Sequence, residues 1–257
     1  MTETALLDLI ESLAAGAGAP RLIGIAGAQG SGKSTLARAA ADRLDGVALS
    51  LDDVYLTRRE RAALAADVHP LLAVRGPPGT HDLDLAEAVI DDLMAGRATD
   101  LPRFDKLSDD RARPARFEGE ARVILVDGWC LGATAQGDAA LADPVNALER
   151  EHDRDGRWRR RANAMLADRY AAFFARFSAV LHLAAPEFST VLDWRCEQEA
   201  TLLGLPPDAL PAGRRDELAL FIQHFERITR HMLAGGVTAT ATVRLDAARR
   251  VLAIERT

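Results

Sequence analysis

Apolar positions along the chain fall into short unbroken runs separated by stretches where they recur every three or four residues. The runs are "RLIGIAG" at 21–27, "VALSLDD" at 47–53, "ARVILVDGW" at 121–129, "FSAVLHLAAP" at 177–186 and "TATVRLDAARRVLAIE" at 240–255. Bounded by Gly, Pro or Asp, the first four predict buried strands, and the last predicts one or two more. Helical spacing occupies the gaps. Leu6, Leu7, Ile10 and Leu13 predict an accessory helix, which "GAGAP" at 16–20 breaks. "KSTLARAAADRL" from Lys33 is a good helix former, ended by Asp45-Gly46. Asp84 with Glu87 resembles a capping pair opening a helix through Leu93. Trp158, Ala162, Met165, Leu166, Tyr170, Phe173, Phe174 and Phe177 predict one amphipathic helix over 157–177. Two more helices follow, over 187–202 and around Leu218, Phe221, Ile222, Phe225, Ile228 and Met232.

Two stretches lack a period. Residues 57–82 include "VRGPPGTHD", which cannot be helix or central strand, and "LPRFDKLSDDRARPARFEGE" at 101–120 is polar and reads as a loop. Strands alternating with helices predict an α/β fold, a mainly parallel sheet flanked by helices in three layers. The expected organisation is one domain over 1–257, with 1–20 as an accessory helix and 21–257 as the core.

Composition narrows the function classes. A chain of 257 residues with 48% hydrophobic content can bury one substantial core. A net charge of −6 argues against a general nucleic-acid binder, so an anionic substrate needs a local basic cluster. The first twenty residues are acidic where a secretory signal is basic, and no apolar run is long enough to span a bilayer. No membrane partner and a cytoplasmic location are expected. Cys130 and Cys196 lack metal-ligand spacing and read as reduced thiols. The oligomeric state is left open.

The first run leads into "GIAGAQGSGKST". Gly27, Gly30, Gly32, Lys33 and Ser34 fit the pattern G-x-x-x-x-G-K-[ST], between a strand and a helix as a phosphate-cradling loop requires. The nucleotide segment is Gly27, Ala28, Gln29, Gly30, Ser31, Gly32, Lys33, Ser34 and Thr35. Backbone N–H groups would cradle phosphate oxygens, Lys33 would reach the β- and γ-phosphates, and Ser34 would ligate Mg²⁺. The bland alternative is a glycine-rich turn with a surface lysine.

Asp127 ends the run "VILVD", where a second carboxylate would hold the hydrated metal, or would merely form a turn. "SLDDVY" ends the second run with Asp52 and Asp53. A hydroxyl that attacks phosphorus must lose its proton, and Asp52 is placed to take it, unless the pair only forms a turn. Arg75, His81, Arg103 and Lys106 lie in two loops bracketing one helix, where arginine can fork onto a carboxylate or simply face solvent. "DRDGRWRRRAN" reads as a solvated basic face with Trp158 packed inward. Arg195 falls where a lid would fold over phosphates, and it also sits at ion-pair spacing from Glu199.

"SLDDVYLT", "VRGPPGTHDLDL", "LPRFDKLSDDR" and "VILVDGWCLGA", in that order after the phosphate loop, resemble the D-glycerate 3-kinase group. That group is related to uridine kinase, phosphoribulokinase and bacterial pantothenate kinase. The similarity runs from Arg21 to Leu203. It implies a P-loop NTPase fold, ATP and Mg²⁺, and phosphoryl transfer to a hydroxyl of glycerate. It matches the family's base to Asp52 and its proline-aromatic-aspartate loop to Pro102, Phe104 and Asp105, with Phe104 where many members carry tyrosine. With the loop and lid readings above, the expected catalytic residues are Lys33, Asp52 and Arg195 and the expected metal ligands Ser34 and Asp127, where the family often has glutamate. Substrate binding falls to Asp53, Tyr55, Arg75, His81, Asp82, Arg103, Asp105 and Lys106. The rival acceptors are a nucleoside, pantothenate or a sugar phosphate. A nucleotide-gated GTPase or switch would need [NT]-K-x-D and a Cys or His cluster, and the sequence holds neither.

Overall fold

The computed structural model describes residues 3–16, 20–206, 209–211 and 213–256. Its centre is a six-stranded sheet in the order β2-β5-β1-β6-β7-β8. The strands are β1 (Arg21–Gly27), β2 (Val47–Ser50), β5 (Val123–Gly128), β6 (Ala179–Ala184), β7 (Ala241–Leu245) and β8 (Val251–Arg256). A separate antiparallel pair, β3 (Thr99–Asp105) and β4 (Asp110–Phe117), forms a hairpin. In the large sheet every pairing is parallel except β7 with β8. β5 and β6 are buried at every position, as the unbroken apolar runs require for strands covered on both faces.

The helices are α1 (Glu3–Ala14), α2 (Lys33–Arg43), α3 (Arg58–Asp67), α4 (Leu83–Met94), α5 (Ala147–His152), α6 (Arg157–Met165), α7 (Ala171–Phe174), α8 (Ser189–Leu202) and α9 (Arg214–Leu233). Two apolar cores form, one on each face of the sheet. The first joins Ile124 and Val126 to Ile90, Phe173 and Phe225, and the second joins Ile25 and Leu125 to Ile10, Leu36 and Trp194. Among the described residues no helix is long and apolar enough to cross a membrane. Gly46 ends the first α/β crossover where a Cβ would stand 2.4 Å from the Val123 side chain, so only glycine lets β2 start there. Of the break at 16–20, residues 17–19 lie outside the described residues.

Four expectations change. Residues 101–120 are not loop but mostly the β3–β4 hairpin. Its second strand is half-buried or exposed throughout, and Pro102 sits at a register shift, so no alternation marks it. Within 57–82, α3 is a helix with a reciprocal capping box between Thr57 and Glu60. Its one buried residue is Arg61, which explains the missing apolar period. The cap of α4 is Asp82, accepting from the Leu85 N–H at 2.9 Å, while Asp84 and Glu87 pair with Arg169 instead. The amphipathic helix over 157–177 is interrupted by a π-helical segment, Leu166–Tyr170, between α6 and α7. The buried pairs Arg227–Glu149 and Arg159–Asp153 fasten the 134–156 excursion to α9 and α6. Arg159 thereby faces inward from the basic run, beside the buried Trp158.

Candidate active site

Parallel strands deliver their carboxyl ends to one edge of the sheet, and the loops that leave β1, β2 and β5 meet there. β1 runs into the phosphate loop, where Gly30 and Gly32 take positive φ of 74° and 89°. A Cβ on Gly30 would lie 2.6 Å from both the Cβ and the carbonyl oxygen of Trp194. Gly32 is also the N-cap of α2 and offers no side-chain cap, so the helix N-terminus faces the loop with its partial positive charge. Arg249, at φ 62° in the turn between β7 and β8, donates to the Gly30 carbonyl at 2.6 Å. It also pairs with Glu197 and lies over the Trp194 ring. The sequence carries no signal for this brace.

A small cavity is lined by Gln29, Lys33, Ser34, Asp52, Tyr55, Arg75, Lys106, Trp129, Arg195, Gln198, Leu202, Phe221 and Phe225. It therefore unites side chains from the phosphate loop, the β2 end, the hairpin, α8 and α9. A larger depression of about 830 Å³ lies at the opposite edge, around Arg21, Arg43, Glu120 and Arg122, away from every phosphate-loop residue. Size does not locate the chemistry here, because the convergent charged groups are in the smaller cavity.

Ser34 Oγ donates to Asp127 Oδ1 at 2.8 Å, and Ser50 Oγ lies 3.3 Å from the same oxygen. Burial raises the Asp127 carboxyl, with the Lys33 charge opposing it. Lys33 is itself buried, 3.5 Å from the Ala28 carbonyl. Asp52 begins the turn after β2. Burial would raise its carboxyl too, but the charges of Lys106 and Lys33 and hydrogen bonds from Lys106 and Tyr55 outweigh that effect. The group is held well below the usual carboxylate range and is ionised at neutral pH.

The remaining side chains divide by what they touch. Tyr55 donates to Asp52 at 2.7 Å, and burial followed by the Asp52 charge raises its phenol. His81 stacks on Tyr55, contacts the Tyr170 hydroxyl at 2.6 Å, and is pushed down to about 4 by burial. Arg75 pairs with Asp109 and lies over the Phe104 and Phe221 rings. Asp53 accepts the Phe104 N–H at 3.0 Å and pairs with Arg103, so both hold the hairpin and neither lines the cavity. Asp82 is occupied by its cap and by Arg111, and Asp105 by the N–H groups of Leu107 and Ser108 in the hairpin tip. Arg195 makes its ion pair with Glu199 at 2.6 Å and still lines the cavity, with Nη1 buried and unpartnered. The sequence reading missed Trp129, Gln198, Phe221 and Phe225 as lining residues. "VDGW" contained Trp129, whereas the α9 aromatics looked like ordinary core.

A lysine-bearing glycine loop, a hydroxyl–carboxylate pair and a second carboxylate converging at the strand ends define the P-loop phosphotransferase class. No family model matches the chain. Over 244 residues it is 30% identical to the uncharacterized kinase mug58 of Schizosaccharomyces pombe, spanning 86% of this chain and 83% of that protein. Against a uridine kinase of Streptococcus pneumoniae it is 28% identical over 117 residues, 42% of this chain and 51% of that relative. It thus spans about half the length of the latter. D-glycerate 3-kinase from Cryptococcus neoformans var. grubii shares the fold, with a TM-score of 0.75 and 20% identity over 99% of this chain and 96% of that one. The chain belongs to the family of ATP-dependent P-loop small-molecule kinases that includes the fission-yeast protein.

Proposed function

We propose that this kinase transfers the γ-phosphoryl of ATP to a hydroxyl of a small hydroxy acid, with D-glycerate the preferred acceptor. One observation carries the reading: Lys33, Asp52 and the cations Arg75 and Lys106 line the same cavity. The phosphate-loop N–H groups and Lys33 bind the β- and γ-phosphates, with Gln29, Ser31 and Thr35 on the same loop. Ser34 and Asp127, a hydroxyl and a carboxylate in contact, are a fitting donor set for Mg²⁺. When bound, the ion supplies neutralisation of the phosphate charge.

The acceptor hydroxyl oxygen attacks the γ-phosphorus in line as the bond to the β-bridging oxygen breaks. Asp52 accepts the hydroxyl proton, and Arg195 steadies the transferred charge. Arg75 and Lys106 hold the acceptor carboxylate and Tyr55 lines the cavity beside them, while Asp53, His81, Asp82, Arg103 and Asp105 support the hairpin and loop behind that wall. The enzyme works on small molecules, without nucleic acid or membrane, in the cytoplasm.

The test is ADP formation by the purified protein with ATP and Mg²⁺, alone and with D-glycerate, uridine, pantothenate or ribulose 5-phosphate. Stimulation by D-glycerate above the others supports the reading. Stimulation by uridine alone replaces the acceptor and keeps the kinase.

A further inference from the structure

Each oxygen of the Asp52 carboxylate has one partner. Oδ1 accepts from the Tyr55 hydroxyl at 2.7 Å and Oδ2 from the Lys106 ammonium at 2.6 Å. The two partners are held very differently. Tyr55 is buried, its ring stacked on His81 at 4.7 Å and meeting Phe104 edge-on at 5.2 Å, and His81 is fixed in turn by the buried Tyr170. Lys106 lies just beyond β3 at the hairpin tip, its side chain 42% exposed beside Leu107 at 89%. An acceptor hydroxyl that gives its proton to Asp52 must approach one of these oxygens, and at Oδ2 the exposed Lys106 is the partner that can move aside.

Removing the ammonium strands a charge unless a new partner arrives. Among the surrounding cations, Arg103 is paired with Asp53 and Arg75 with Asp109, Arg195 pairs with Glu199 through Nη2 and keeps Nη1 unpartnered for the transferred phosphoryl, and Lys33 serves the phosphates, so none is a new partner for Asp52. A neutral acceptor offers Asp52 a hydroxyl but leaves Lys106 with nothing. An acceptor carrying its own carboxylate satisfies both groups at once, and no charge is left uncompensated.

We propose that Lys106 is a specificity-determining placeholder, whose ammonium passes from Asp52 Oδ2 to the acceptor's carboxylate as the acceptor hydroxyl takes its place. Anionic hydroxy acids then gain entry by charge exchange, and neutral polyols and nucleosides are rejected by the same ion pair. This rests on the hydroxy-acid reading above and adds how the site selects for it.

The experiment compares D-glycerate with D-glyceramide, its neutral analogue with the same hydroxyls, through kcat/KM for each in the full-length protein and in Lys106→Met. The wild type is expected to prefer D-glycerate by about a hundredfold, the order of a lost charge-assisted contact with its partner left unpaired. In Lys106→Met that preference is expected to fall by about tenfold or more, through a KM that rises further for D-glycerate than for D-glyceramide. Lys106→Arg should keep most of the preference. ATP affinity, measured separately, should be the same in all three and reports an intact fold. Equal losses on both acceptors, or a wild type that uses both equally well, overturn the exchange while leaving a hydroxy-acid kinase. Failure of D-glycerate to stimulate the wild type removes the hydroxy-acid reading and this proposal with it.

Discussion

The nucleotide side and the acceptor side of the cavity are built by opposite means. On the nucleotide side, fully buried strands and backbone geometry set the shape, with Gly30 packed against Trp194 and the α2 N-terminus aimed at the loop. The acceptor side is a two-stranded hairpin with little core of its own, held by side-chain links: Asp53 to the Phe104 N–H, Arg61 and Arg75 to Asp109, and Lys106 to Asp52. A rigid half suits a ligand common to many enzymes. A half fastened by polar links can change its contents without disturbing the sheet, and that is where we place acceptor choice.

The contrast is testable, and the sharpest break comes at the seam. Asp52→Asn should lower turnover by about 10²- to 10⁴-fold with ATP binding retained, as measured by ADP release and nucleotide titration. Unchanged turnover would remove Asp52 as the base.

Next in size is the response to pH, because burial pushes two histidines far down. His81 on the acceptor side and His182 in β6 are both pushed down to about 4 by burial. The unfolded chain, with an ordinary value near 6.5, binds more protons below that pH, so this stability is complete above it and is lost as pH falls toward 4. Each histidine should remove about 2 kcal/mol between pH 7 and 5. Urea unfolding at the two pH values checks this, and a flat response would mean that neither ring stays neutral when folded.

Smaller and more discriminating is a pair of substitutions with opposite kinetic signatures. Gly30→Ala forces a side chain into a left-handed position against Trp194 and should raise the KM for ATP by about tenfold. Asp109→Ala frees Arg61 and Arg75 and should raise the acceptor KM by a similar factor, about tenfold, with ATP little changed. If both variants moved both constants equally, the two halves would be one unit. The smallest effect belongs to Thr57→Ala, which removes the α3 cap and should cost about 1 kcal/mol in thermal unfolding without altering either KM.

Legibility in the sequence follows the same division. Lys33, Ser34, Asp52 and Asp127 stand at the ends of apolar runs whose strand character depends on local hydrophobicity, so their convergence follows from parallel topology alone. The hairpin was not legible, because β4 is half-buried or exposed along its length and Arg61 is the one buried residue of α3, leaving periodicity nothing to report. Arg75 and Lys106 were visible as cations near a site. Their carboxylate partners, Asp109 and Asp52, are fixed only by tertiary placement. Arg249 illustrates the limit, since its partner Gly30 lies 219 positions away and no local rule links them.

That last contact bears on how the protein is made. The phosphate loop is made before the arginine that grips its carbonyl, which follows 219 residues later. A nascent chain stalled before β7 and β8 would carry every residue of the nucleotide motif and still lack the brace between the loop and α8. The brace can form only once β7 and β8 have been made, and an ATP-analogue pull-down of chains stalled before and after that point tests whether the loop depends on it.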